Sequence, residues 1–438
     1  MKNSENTLRT VSENEKITLY LNKEEKNTLE QLGKELAAKR DRSGNLKTQE
    51  NITSIIKIIG SEDINEDKET RYEVSIPDYI GTLKIKNQII EIQPKIGLDH
   101  FIHIIEAGSD VMSQTRLSKQ QLSGSTGNLF WYMVANFLGE TELLLKKGLL
   151  KGYKLREDQL KYITGRINTL NTFRNFLKGN MLVDTEYEEF TEDIAINRVI
   201  KAGLERVLKE KVSFDTNSQL KNFIVSSKKK ARTMKSEFYQ SGNLKFSDKK
   251  TVNFDRNNNY YKDSYKLALN ILNFIYGQTT IGNTSISASL IKTSGLIEDG
   301  LKSYINSYID PRFTPVKSER YSADKGSQNF DPDLIFGMKD NPIAAGDIKY
   351  SFFETLEDES KINWKISWRD QLSSWAIAAN TKKVLIIAFD NQGLGIRSNG
   401  YFSINNVEYK FIAWNTMTSK PNIAGKKMIS ELESFLKG

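Results

Sequence analysis

The sequence contains no cysteine and only two histidines, His100 and His103. Disulfides, zinc knuckles and thiol nucleophiles are therefore excluded, and so is a His-rich metal site. No stretch approaches the roughly 20 consecutive apolar residues that a membrane-spanning helix needs. The polar opening SENTLRTVSENEK has no apolar core of the kind a signal peptide carries. These absences read as a cytoplasmic protein with no membrane partner. A nucleotide-binding GxxxxGK[ST] loop is also lacking, because the Gly-rich pieces SGSTGN (123–128) and IYGQTTIGN (275–283) have no Lys to reach phosphates. The chain alone is expected to bind no nucleotide.

Chemistry must then rest on carboxylates, lysines and hydroxyls. With 438 residues, two or three compact units are expected. Lys and Arg number 63 against 55 Asp and Glu, a formal charge of +8. That balance suits a polyanionic partner but is modest over this length.

Patterning divides the chain. Residues 1–15 read as a disordered lead-in to a first strand at 16–21, with a helical patch over about 23–39. From 50 to 94 the alternation is strand-like, with a turn at Lys86-Asn87-Gln88, so residues 1–96 form an N-terminal β-rich module. Residues 97–280 read as a central helical region with periodic apolar positions and few prolines. Residues 281–438 give helix, strand, strand, helix, strand, which implies a mixed sheet flanked by helices. The expected fold class is α+β multidomain.

Cleaving a phosphodiester with magnesium requires hard oxygen ligands and, usually, a cation near the attacking water. Asp333 in DPDLIF and the pair Asp347/Lys349 in GDIKY meet that requirement if their two strands lie side by side. Residues two apart on a strand share a face. An acidic residue two before a Lys also occurs at Glu24/Lys26, Glu66/Lys68, Asp248/Lys250 and Glu359/Lys361. Asp347/Lys349 alone follows an apolar, strand-like lead (PIAAG) one hairpin after a Pro-Asp pair, and that context distinguishes it.

Four other features have two readings each. Glu298, beside the apolar stripe Ile297/Leu301/Ile305, either reaches a metal or its waters or is a surface residue next to the core. Gln371 either contacts a phosphate or metal-bound water or is a plain helix-surface Gln. The run Lys228, Lys229, Lys230, Arg232 is either a solvated face or a phosphate-tracking patch. Trp368 and Trp375, at helical spacing, are assigned to the core rather than to base stacking.

At this point an ordered set of blocks resembles the McrC family, the nuclease subunit of McrBC-type modification-dependent restriction systems. The blocks are YIGTLKIKNQIIEIQPKIG (79–97), YITGRINTL (162–170), EYEEFTEDIAINRVIKAGL (186–204), and DPDLIF with GDIKY. The resemblance implies a C-terminal PD-(D/E)xK nuclease domain with Asp333, Asp347 and Lys349 as metal and catalytic residues. Magnesium, or manganese in its place, would be held by Asp333, Asp347 and the Ile348 carbonyl. The resemblance further implies a McrB-like AAA+ GTPase hexamer as partner, docked on the N-terminal module and stimulated by it, and double-stranded, modified DNA as substrate. Tyr187, Asp193 and Asn197 match the central block; an Asp and an Asn near a helix start suggest caps. Gly165 and Arg166 suggest a turn and an ion pair. One departure is Ser351, where the family usually carries a second basic residue. The competing readings are a stand-alone RecB-like nuclease and a catalytically inactive activator or scaffold subunit of a ring NTPase.

Overall fold

The computed structural model describes residues 7–41, 54–62, 70–86, 88–107, 129–210, 218–249, 252, 254–282, 284–322, 329–353, 365–392 and 400–437. Among them the chain is α+β, with an N-terminal pair of sheets, a helical middle that carries a small sheet, and a C-terminal mixed sheet between helices.

The first body holds β1 (Thr7–Ser12), β2 (Ile17–Leu21), α1 (Lys23–Asp41), β3 (Lys57–Glu62), β4 (Thr70–Ser75), β5 (Tyr79–Ile85) and β6 (Gln88–Gln93). Alternation in ITLYL buries Ile17, Leu19 and Leu21 on one side, and β2 is an edge of the antiparallel sheet β2-β4-β3. The residues expected to be a disordered lead-in contain β1. Its polar sequence TLRTVS forms a strand by pairing in parallel with β6. A second correction concerns the boundary expected at 280/281. It falls inside the hairpin of β10 (Ile275–Ile281) and β11 (Thr284–Lys292), and β11 pairs antiparallel with β5. The five-stranded order β1-β6-β5-β11-β10 thus unites segments some 200 residues apart.

Helix α2 (Leu98–Glu106) leads to the middle, where α3 (Leu129–Lys147) buries Phe130, Trp131, Met133, Val134 and Phe137. The 97–280 region is not wholly helical. It carries a three-stranded antiparallel sheet of β7 (Gly152–Leu160), β8 (Arg166–Ile167) and β9 (Val183–Thr191), with α4 (Thr169–Leu177) against β9. This wing displays Tyr153, Leu155, Phe173, Leu177, Met181 and Phe190 to solvent. The middle continues with α5 (Ala195–Lys209), α6 (Ser218–Glu237) and α7 (Lys262–Leu272). Gly203 of α5 allows close packing, since a Cβ there would lie 3.0 Å from the Phe137 ring and 3.1 Å from the Ala268 methyl.

The last body starts with α8 (Thr293–Tyr308) and the short strands β12 (Val316–Lys317), β13 (Tyr321–Ser322) and β14 (Asn329–Phe330). Next come β15 (Leu334–Met338), β16 (Asn341–Phe352), α9 (Ile366–Ala378), β17 (Lys383–Asp390), β18 (Tyr401–Ile404), β19 (Val407–Asn415) and α10 (Pro421–Lys437). The expected order of helix, strand, strand, helix, strand is present as α8, β15, β16, α9, β17. The six-stranded order is β12-β15-β16-β17-β19-β18. Strand β15 is antiparallel to β16, while β16-β17 and β17-β19 are parallel. A parallel pair needs a crossover, and α9 lies between β16 and β17 in the chain. Strand β17 is buried on both faces, as the continuous run VLIIAF requires. Val384, Ile386 and Ala388 pack with Trp368, Leu372 and Trp375 of α9, so the two tryptophans are core. Leu385, Ile387 and Phe389 join the cluster that contains α8 and α10.

Candidate active site

The hairpin β15–β16 brings the three predicted residues together. Asp333 immediately precedes β15, and its Oδ2 accepts a hydrogen bond from the Ile348 N–H at 3.3 Å. Asp347 is only 3% exposed, and the Asp333 carboxyl lies near enough to raise its proton affinity. Lys349 projects on the same face of β16, and its Nζ forms an ion pair with Asp347 Oδ2. The ammonium also donates to Gln371 Oε1 of α9 at 3.1 Å. Gln371 therefore holds Lys349 in place.

Helix α8 supplies the opposite wall. Lys302 Nζ stands 3.9 Å from Asp333 Oδ1 and donates to Ser318 Oγ at 2.9 Å, while Ser318 Oγ donates to the Asp333 carbonyl at 3.0 Å. Lys302 was not singled out from sequence, since a lone Lys on a helix carries no local signal. Glu298, one turn earlier, is half-buried. Burial and then the Asp333 charge raise its proton affinity above the ordinary carboxylate range.

The pKa of Asp347 is pushed up to about 7, first by burial and then by Asp333, with Lys349 pulling the other way. A raised carboxylate alone does not mark a site, because burial also raises Glu140 and Glu431 to about 7. What sets Asp347 apart is convergence: a second carboxylate raises its proton affinity, and the lysine paired with it is held in turn by the Gln371 amide.

The donor set fits a hard divalent cation. Asp347 Oδ2 is buried and, outside its ion pair with Lys349, makes no hydrogen bond among the described residues. Two adjoining carboxylates disfavour joint ionisation unless a cation stands between them. Among the described residues no cluster of three or more His, Cys, Asp or Glu side chains is arranged to hold a metal. An ion here would have two carboxylates, with carbonyl and water oxygens completing its shell, a donor set magnesium commonly accepts.

Residues 74–386, well over half of the chain, match the family described as McrBC 5-methylcytosine restriction system component. The chain belongs to the McrBC family. No curated protein matches it. Among solved structures it is similar to a chain of the refined half-complex from the tetradecameric assembly of Thermococcus gammatolerans McrB AAA+ hexamers with bound McrC. The identity is 14%, the coverage 98% of this chain and 100% of that one, and the TM-score 0.48. The cryo-EM structure of the T. gammatolerans McrBC complex contains a chain similar at 14% identity over 68% of this chain and 86% of its own, with a TM-score of 0.39.

The other blocks that resemble McrBC proteins have structural work. Asp193 and Asn197 do not cap α5, whose N-cap is Ile194 with no side-chain cap. Instead Asn197 Nδ2 donates to the carbonyls of Leu150 and Glu192 at 2.9 and 2.8 Å. Asp193 accepts from Lys154 Nζ, Arg198 Nη1 and the Gly242 N–H. Arg198 also makes two 2.8 Å bonds to Asp248 and is 8% exposed. Capping was a local inference; the block in fact ties the wing to α5 and the segment after α6. Gly165 adopts φ +73°, and a Cβ there would lie 2.4 Å from the Glu186 carbonyl oxygen, so this turn needs glycine. Tyr187 OH donates to Asp158 Oδ2 at 2.9 Å.

The basic run lies on α6 and is partly spent within the protein. Lys228 Nζ donates to the Glu210 carbonyl, and Lys230 pairs with Glu142. Lys229 and Arg232 are exposed. Of the competing acid-x-Lys pairs, Glu24/Lys26 lies on helix α1 and Asp248 is bound by Arg198. Glu66/Lys68 and Glu359/Lys361 fall outside the described residues, as do SGSTGN and Lys250.

Proposed function

We propose that this chain is the magnesium-dependent DNA endonuclease subunit of a McrBC-like restriction complex, acting on modified double-stranded DNA. Its partner would be an AAA+ GTPase hexamer whose hydrolysis it stimulates. The observation that carries the nuclease reading is the meeting of Asp333, Asp347, Lys349 and Gln371 at one end of the β15–β16 hairpin. Membership of a restriction-system family supports DNA as substrate, and the lack of a nucleotide loop supports a separate GTPase.

Asp333 and Asp347, with the Ile348 carbonyl, would hold the magnesium ion. When bound, the ion supplies a Lewis acid that neutralises charge on the phosphate. Lys349, fixed between Asp347 and Gln371, orients the attacking water and offsets the charge that develops on the phosphate oxygens. Lys302 keeps Asp333 in register from the α8 side.

The test is cleavage of methylcytosine-containing DNA by the purified chain with its AAA+ partner, GTP and Mg2+. Asp347→Ala and Lys349→Ala are each expected to abolish cutting while partner binding and GTPase stimulation persist. Undiminished cutting by either variant would overturn the proposal.

A further inference from the structure

Strand β16 parts from β17 beside the candidate site. Ile348 pairs with Ile387 and Phe352 with Phe389, so residues 349–351 bulge opposite the single residue Ala388. Lys349 opens that bulge. A bulge takes backbone groups out of the ladder, and buried ones need partners from elsewhere.

The partners come from the N-terminal body. Lys95 Nζ donates to the Tyr350 carbonyl at 2.6 Å and stands 4.1 Å from the centre of the Tyr350 ring. Tyr350 OH donates to Glu13 Oε2 at 2.7 Å, and Thr293 Oγ1 donates to the other Glu13 oxygen. Glu13 is 3% exposed, and its own N–H is held by the Gln93 carbonyl at 2.8 Å. Thr293 is the first residue of α8, the helix that carries Glu298 and Lys302. One buried carboxylate therefore joins the two elements that carry the site.

Burying a carboxylate is unfavourable, and burial raises the proton affinity of Glu13 against the pull of its hydrogen bonds and Lys95. Apolar packing would join two elements with less penalty. What apolar packing does not provide is direction: here two acceptor oxygens fix a tyrosine hydroxyl and a threonine hydroxyl at one point.

We infer that Glu13 and Lys95 are positioning residues for phosphodiester cleavage, acting through Tyr350 to hold the bulge that presents Lys349 at a set distance from α8. This rests on the nuclease function proposed above. The N-terminal sheet is then part of the cutting geometry.

The experiment is single-turnover cleavage of methylcytosine-containing DNA by the full chain with its AAA+ partner, GTP and Mg2+. It compares wild type with Glu13→Gln, Tyr350→Phe, Lys95→Met and Lys95→Arg. Displacing a reactive group by about 1 Å costs on the order of a hundredfold, so the first three variants should lose roughly ten- to a hundredfold in rate at saturating DNA and Mg2+. Half-saturating concentrations of DNA and Mg2+ should stay within about twofold, the pattern of a lost transition-state interaction. Lys95→Arg should recover most of the rate. Tyr350→Phe removes one hydroxyl and keeps the ring, which guards against simple unfolding. Wild-type rates in Tyr350→Phe and Glu13→Gln would overturn the inference, as would losses that merely track the folded fraction. A wild-type complex that does not cut at all would overturn the nuclease reading itself.

Discussion

Replacing Asp347 by Asn should make the metal-free protein more stable in mild alkali. The carboxyl is 3% exposed, and burial followed by the Asp333 carboxyl pushes its pKa up from 3.8 to about 7, net of the Lys349 ion pair. The folded state therefore holds the proton more tightly than the unfolded chain, and stability falls as pH rises from about 4 through about 7. Three decades of proton affinity at about 1.4 kcal/mol each set an upper limit on the order of 4 kcal/mol at pH 8. At pH 5 the penalty is only about 1–2 kcal/mol, because the folded carboxyl is still protonated. Asn keeps the shape and cannot ionise. Denaturation in EDTA at pH 5 and pH 8 should thus show the stability gap between Asp347→Asn and wild type widening by up to about 2–3 kcal/mol. Adding Mg2+ should raise wild-type stability by about 2.7 kcal/mol at a hundred times its Kd and leave the variant unmoved. A variant less stable than wild type at pH 8, or a gap that ignores pH, would refute the reasoning.

Arg198→Ala strands Asp248 and weakens the hold on Asp193, so unfolding free energy should drop by about 3–5 kcal/mol; denaturant titration measures it. Burial alone would raise both carboxyls, but their hydrogen bonds outweigh it and hold both below the ordinary range. Their stabilisation is present above about pH 4 and lost as pH falls, which acid unfolding of wild type against Asp248→Asn should show as a smaller acid sensitivity in the variant. Gln371→Ala leaves Lys349 anchored only by Asp347 among the described residues, and cleavage should slow by roughly tenfold at saturating substrate with DNA affinity unchanged. Gly81→Ala adds a Cβ 2.0 Å from the Ser289 carbonyl oxygen at φ +138°, a forced separation of β5 from β11 that should lower the thermal midpoint or prevent folding.

Elements with a clean local signature were legible in the sequence. ITLYL, VLIIAF and the Trp368/Trp375 helix carry apolar patterns that match their burial. The Asp333/Asp347/Lys349 cluster was legible because both strands belong to one hairpin, whose register is a local matter. The wing was not. In strand β7, GYKLREDQL, the apolar Tyr153 and Leu155 lie on the exposed face and Lys154 and Arg156 on the half-buried one, so its pattern does not read as a strand packed on a core. Nor did local pattern disclose that β10 and β11 return to the first sheet, for a strand's sequence does not name its partner. The Glu13–Tyr350 bond spans 337 residues and draws on a lead-in too polar to read as structure.

The return of the β10–β11 hairpin governs when the protein can become whole on the ribosome. Strand β5 waits with one open edge until residue 292 has emerged, and edge strands left open are prone to pair wrongly. Glu13 likewise waits for Tyr350, which is made 337 residues later. Such long-range closure slows folding relative to locally connected folds. A chain that stops before Tyr350 therefore lacks both the β16 bulge and the bond that ties it to the N-terminal sheet, so the Asp333/Asp347/Lys349 cluster is completed only after both bodies have been made.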